Sequence, residues 1–214
     1  SPLNSISSAS KSPHTFSKDI GVDMGVSKLF SLSDGTHIEP LNSFKKHQEK
    51  LAKLQRKLSK KKKFSNGWYK QKKKIQRVHS KISNCRKDYL HKSTTMLSKN
   101  HAMIIIENLK ISNMSKPAKG NIEEPGRNVK AKSGLNKSIL DQGWHEARRQ
   151  LEYKQKWRGG LVIAVSPRYT SQKCSSSKCG HIDKVSRLSQ SDFCCTKCSS
   201  KMNADINAAK NILA

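Results

Sequence analysis

The sequence predicts a mixed α/β chain, with a long helical hairpin between its strands and a small cysteine-held module near its end. Three observations carry that expectation. Short apolar runs of strand length stand at Ile20–Val22, Met103–Ile106 and Leu161–Val165. Between the first two, apolar residues keep helical spacing from Phe44 to Tyr89. Five of the six cysteines crowd into residues 174–198.

Taken in order, residues 1–16 are rich in Ser, Pro and Asn and read as a linker or the remnant of a further N-terminal region. Asp19 to Val26 reads as a strand running into a Gly turn, Ser27 to Leu32 as a second strand, and Asp34-Gly35 as a tight turn. Thr36 to Leu41 completes a meander. Phe44, Leu51, Leu54 and Leu58 keep heptad spacing, as do Trp68, Ile75, Val78, Ile82, Cys85 and Tyr89. Phe64-Ser65-Asn66-Gly67 interrupts them, which predicts an antiparallel hairpin over about 43–99 with a narrow apolar seam. Cys85 falls on that seam and is expected to be buried. His101 to Glu107 reads as a buried strand ending in a carboxylate. Residues 110–134, rich in Gly, Pro, Ser, Asn and Lys, read as a mobile loop. Leu135 to Trp157 reads as helix weakened at Gly143 and ended by Gly159-Gly160. Leu161 to Val165 is expected to be another buried strand. A compact module over 170–203 and a final helix over 204–214 close the chain.

Charge narrows the function. Forty-three Lys and Arg face fifteen Asp and Glu, a formal net charge of +28 over 214 residues. Such a field favours a polyanion, nucleic acid first. A membrane surface is the rival, but no apolar run approaches the roughly 18 residues of a spanning helix. Ser1 to Phe16 lacks the apolar core of a secretory signal, so the expected location is cytoplasmic, or nucleoid-associated if bacterial. The hydrophobic fraction of 34% still allows a core. Residues 45–81 hold sixteen Lys and Arg against one acid, Glu49. Cations so dense repel one another unless a polyanion relieves them, and contacts of this kind position a strand without reading its sequence. Trp68, Tyr69 and Trp144 are candidates for base stacking, with core packing the plainer role.

Cys174-x4-Cys179 and Cys195-x2-Cys198 form two knuckles sixteen residues apart. Four soft ligands in two short pairs suit tetrahedral zinc, and Gly180 fits a knuckle turn. Two disulfides or free thiols are the alternative. Cys194 and His181 break the two-knuckle pattern and are not expected to bind.

Three carboxylates stand out. Asp23 and Glu107 end apolar strands, and Asp205 opens the final helix. Each alone has an ordinary role: a turn cap, a salt bridge, a helix N-cap. As a set they offer oxygen ligands for Mg²⁺, and phosphodiester cleavage can use two such ions about 4 Å apart.

Together these motifs resemble a family. Gly21-Val22-Asp23-Met24-Gly25, Ile106-Glu107-Asn108-Leu109 and Asn203-Ala204-Asp205 are similar to the three RuvC motifs of TnpB proteins, the transposon-encoded OrfB transposases related to type V CRISPR effectors. Gly126-Arg127-Asn128-Val129, Leu140-Asp141-Gln142-Gly143-Trp144 and Tyr169-Thr170-Ser171-Gln172 support the likeness, which covers about residues 17–214. The resemblance implies an RNase H-like (RuvC) nuclease core over 17–169 and 204–214 with a zinc ribbon inserted at 170–203. It implies Asp23, Glu107 and Asp205 as Mg²⁺ ligands, and Cys174, Cys179, Cys195 and Cys198 as zinc ligands. It further implies DNA as substrate and a guide RNA in the full-length family. The chain departs from the family pattern in its wider first knuckle, in Ser199 where Gly commonly follows the fourth cysteine, and in Asn108 where Asp is frequent. The family's guide-gripping N-terminal half has no counterpart in these 214 residues.

The reading is a Mg²⁺-dependent DNA endonuclease of transposon origin. The alternative is a truncated nucleic-acid-binding remnant that cannot cut; a zinc-ribbon adaptor for protein partners fits the charge poorly. Guide, target motif and oligomeric state are not legible.

Overall fold

The structure, a computed structural model, describes residues 19–121 and 123–214. The expected linker over 1–16 lies outside the described residues. Five strands form one sheet in the order β3-β2-β1-β4-β5: β1 Ile20–Asp23, β2 Phe30–Leu32, β3 His37–Ile38, β4 Met103–Glu107 and β5 Leu161–Val165. The first three form an antiparallel meander, while β1, β4 and β5 run parallel. Parallel neighbours need long connections. Helices α1 (Ser43–Ser59) and α2 (Asn66–Asn100) supply the first; α3 (Ile111–Met114), α4 (Val129–Gln142) and α5 (Trp144–Arg158) supply the second.

Alternation along the strands sorts their residues between two layers. Ile20, Val22, Ile104, Ile106 and Val162 face the main core with Leu90, Leu97, Ala147 and Leu151 from α2 and α5. The opposite face meets the last helix, α6 (Ala204–Leu213). Gly21 allows that approach: a Cβ there would lie 2.1 Å from the Ala209 carbonyl oxygen.

The hairpin forms as expected and carries its own seam, Leu51 against Ile75, Val78 and Ile82. Its base is tied to α4, where the buried Asp141 carboxylate accepts from the Ser43 hydroxyl and the Phe44 amide and pairs with Arg86 at 3.2 Å. Beyond Ile82 the buried stripe leaves the expected positions. The buried stripe of α2 moves to Leu90, Ser93, Thr94, Leu97 and Ser98, because its partner there is α5. Cys85 is therefore exposed, contrary to expectation.

Two further expectations are corrected. Helix α4 begins at Val129, inside the stretch read as loop. Strand β5 is an edge strand whose outer face is open, with Leu161 62% exposed. Its continuous apolar run suggested two covered faces, but α6 lies over β1 and leaves the edge bare. The break at Gly143 is as expected; its φ of 70° separates α4 from α5. The cysteine module contains one antiparallel pair, β6 (Asp192–Cys194) and β7 (Lys201–Asn203). Among the described residues, no helix is long and apolar enough to cross a membrane.

Candidate metal centres

Asp23 ends β1 and Glu107 ends β4, on parallel neighbours. Gly21 and Ile105 are paired in register, so Asp23 and Glu107, two residues further along each strand, share the face against α6. Asp205 lies in the first turn of α6. The cap of that helix is Asn203, whose side chain accepts from the Asp205 and Ile206 amides. A sheet end and a helix start thus turn three acids toward one region.

The acids also feel one another's charge. Asp23 is pushed up to about 7, first by burial and then by the negative charges of Glu107 and Asp205. Burial also raises Glu107, opposed by the hydroxyl of buried Thr170, which donates to its carboxylate. Among the described residues, Arg187 from the cysteine module answers the acids, reaching the Asp205 carboxylate at 3.3 Å. It also lowers both Asp23 and Glu107. Carboxylate oxygens are the donors a divalent cation takes, but among the described residues these three are not gathered into a group as tight as a set of metal ligands.

The four knuckle cysteines converge. Their sulfurs all lie within 4.8 Å of one another, with Cys174 to Cys198 and Cys179 to Cys195 each at 3.7 Å. Among the described residues no other group of His, Cys, Asp or Glu draws together so tightly, so Cys194 and His181 stand outside it. Disulfide sulfurs would be about 2.05 Å apart, whereas a tetrahedron of ligands about 2.3 Å from a central ion has edges of about 3.8 Å. The spacing fits a metal. Backbone amides of the second knuckle bring the Cys195 thiol down to about 7, whereas burial pushes the Cys174 thiol up to about 12, so the case for a metal rests on the spacing. The turns fit too: Gly180 has φ 57° and Ser199 takes the same left-handed conformation at 57°.

The family model described as OrfB_IS605, Probable transposase, matches residues 7–118. The chain belongs to this family. A second model, Cas12f1-like, TNB domain, matches residues 144–212 of this OrfB-type chain. It is 64% identical over 201 residues to "Putative RNA-guided DNA endonuclease InsQ" of Escherichia coli (strain K12), covering 94% of this chain and 50% of that one. It is 32% identical over 195 residues to "Putative RNA-guided DNA endonuclease" of Streptomyces pristinaespiralis, covering 91% of this chain and 44% of the relative. The chain thus spans about half the length of the curated relatives it matches. Its fold is similar to that in a Cas12f1–sgRNA–target DNA complex, with a TM-score of 0.59 and 23% identity over 91% of this chain and 49% of that one.

The OrfB-type chain also holds residues that sequence reading did not single out. Asn207, fully buried on α6, accepts from the Ser175 amide and donates to the Lys173 carbonyl. Asn211, one turn on, donates to the carbonyls of Thr170 and Lys173. These amides fasten the first knuckle to the helix that carries Asp205. Arg187 left no signal in sequence, because its role exists only once the module folds onto α6. Thr170 lay within a stretch already noted, without a role. Trp144 is core, as expected. Tyr69 is exposed, against the expectation of packing.

Proposed function

We propose that this chain is the RuvC-like nuclease portion of a TnpB-type, RNA-guided DNA endonuclease, with an RNase H-like core over 17–169 and 204–214 and a zinc ribbon over 170–203. Family membership and the printed names of the relatives support the activity. The sheet order, with a three-strand meander followed by parallel β4 and β5, supports the fold. The observation that carries the site is the placement of Asp23 and Glu107 at the ends of the paired strands β1 and β4, with Asp205 near enough that burial first, and the charges of the two neighbouring acids second, raise Asp23 to about 7.

In this reading Asp23, Glu107 and Asp205 hold Mg²⁺, which when bound supplies a Lewis acid for water activation and for charge at the cleaved phosphate. Thr170 fixes the Glu107 carboxylate through its hydroxyl. Asn203 holds the first turn of α6 and so sets where Asp205 points. Arg187 balances the acids. Zinc on Cys174, Cys179, Cys195 and Cys198 stiffens the ribbon that delivers Arg187. The basic hairpin is the surface for DNA and guide RNA, since no acid stands between Glu49 and Asp88 to offset its lysines.

The test is cleavage of labelled single-stranded DNA by the purified chain, with Mg²⁺ or EDTA, beside Asp23→Ala, Glu107→Ala and Asp205→Ala. Cutting that needs Mg²⁺ and vanishes in each variant supports the reading. A rival, a non-catalytic binding remnant, draws on the ion pair already made by Arg187 with Asp205. It predicts salt-sensitive binding without cutting, even when the other half of a full-length relative is supplied in trans.

A further inference from the structure

The tip of the helical hairpin carries aromatic rings that the fold does not use. Phe64 is 72% exposed and its backbone sits in the left-handed region at φ 65°. A bulky residue is strained there, whereas glycine is at ease. The turn does not need the ring: Ser65 closes it, donating to the Lys62 carbonyl and capping α2 at the Trp68 amide. Phe64, Trp68 and Tyr69 all lie outside the hairpin's apolar seam. They gather instead on each other. The Phe64 and Trp68 centroids are 5.6 Å apart, and Trp68 meets Tyr69 edge-on at 5.1 Å. Tyr69 is 52% exposed.

Charge surrounds this cluster. Lys72 places its ammonium 5.1 Å from the Trp68 ring centre. Lys60 to Lys63 approach the tip from α1 and Lys70 leaves it on α2, all exposed. Among the described residues, no Lys or Arg between Glu49 and Arg86 makes an ion pair. Exposed rings set in unpaired cations match a ligand with flat apolar faces and a polyanionic backbone.

We propose that the hairpin tip is a stacking site for unpaired nucleobases of a single-stranded polynucleotide. The rings take base faces while the flanking lysines take phosphates. A single strand is favoured over a duplex, because paired bases already have their faces covered. The strain at Phe64 points the same way, since a glycine would make this turn at lower cost without presenting a ring.

This inference rests on the hairpin being a polynucleotide surface, and the experiment reads the two ideas separately. Fluorescence anisotropy of labelled 12-nucleotide strands would be measured with the full chain in EDTA across a salt series. The probes are oligo-dT, oligo-rU, an abasic strand of equal length and a blunt duplex. The salt slope tests the hairpin surface, and the base-to-abasic ratio tests stacking. Base-bearing single strands are expected to bind about tenfold tighter than the abasic strand. The double variant Phe64→Gly, Tyr69→Ala is expected to erase that ratio and keep the salt slope. Phe64→Gly alone relieves strain, so a weaker ratio in that variant is not a folding defect. A preference for rU or for dT names the strand, and either supports the proposal. Equal binding of base-bearing and abasic strands, a ratio that survives the double variant, or a duplex bound as tightly as the single strands would each overturn it. A flat salt response with every probe would instead refute the hairpin surface itself.

Discussion

Replacing Asp23 by Asn should stabilise the metal-free chain, and only at high pH. Burial and two neighbouring acids raise Asp23 from the ordinary 3.8 to about 7. Between those values the folded chain holds a proton that the unfolded chain has released. Unfolding then releases that proton, so stability falls as pH rises through the window and the loss is complete above it. At about 1.4 kcal/mol per pH unit, the gap is worth roughly 4 kcal/mol. Asp23 keeps some contact with solvent, which screens its charge, so a difference of about 2–4 kcal/mol is expected at pH 8. At pH 4.5 it should shrink to about 1 kcal/mol or less. Urea denaturation of wild type and Asp23→Asn in EDTA at both pH values measures it. Mg²⁺ should then reverse the order, stabilising the wild type at pH 8 and leaving the variant unmoved. A variant less stable than wild type at pH 8 in EDTA, or a gap that ignores pH, would refute the electrostatic account.

Other expectations follow from particular contacts. The chain should hold one zinc ion by elemental analysis, and Cys195→Ser should lose it together with hydrogen-exchange protection over 170–203; unchanged protection in a zinc-free chain would contradict the four-thiolate assignment. Gly21→Ala should cost about 3 kcal/mol in denaturant, since its Cβ would meet Ala209 and Leu213 backbone at 2.1 and 2.8 Å. Asp141→Ala should cost about 3 kcal/mol and speed exchange in α1, because it strips the Ser43, Phe44 and Arg86 contacts from a buried site.

What was legible in the sequence was local. Strand-length apolar runs, the Phe64–Gly67 break and the Gly143 break all announced elements that form. The four cysteines converge as their spacing required, with Cys194 and His181 left out. The failures came where a second element decided the outcome. Cys85 kept a heptad spacing, but the partner of α2 changes from α1 to α5 near that point, and the stripe shifts with it. Leu161 to Val165 looked fully buried because its composition is apolar; only the position of α6 over β1 shows that its outer face stays open. Asp23, Glu107 and Asp205 could be named singly, yet bringing Asp205 near the strand ends depends on Gly21 letting α6 lie against the sheet. Arg187 becomes visible only when the cysteine module is docked by Asn207 and Asn211.

On the proposed function, the three acids place metal at a phosphate. Single-turnover cleavage of single-stranded DNA carrying one stereodefined phosphorothioate tests it most directly. With Mg²⁺, sulfur in the metal-facing position should slow cutting at that linkage at least about tenfold, and Mn²⁺, which tolerates sulfur better, should restore it. Cutting in EDTA, or a sulfur effect that is the same in both metals, would contradict the account.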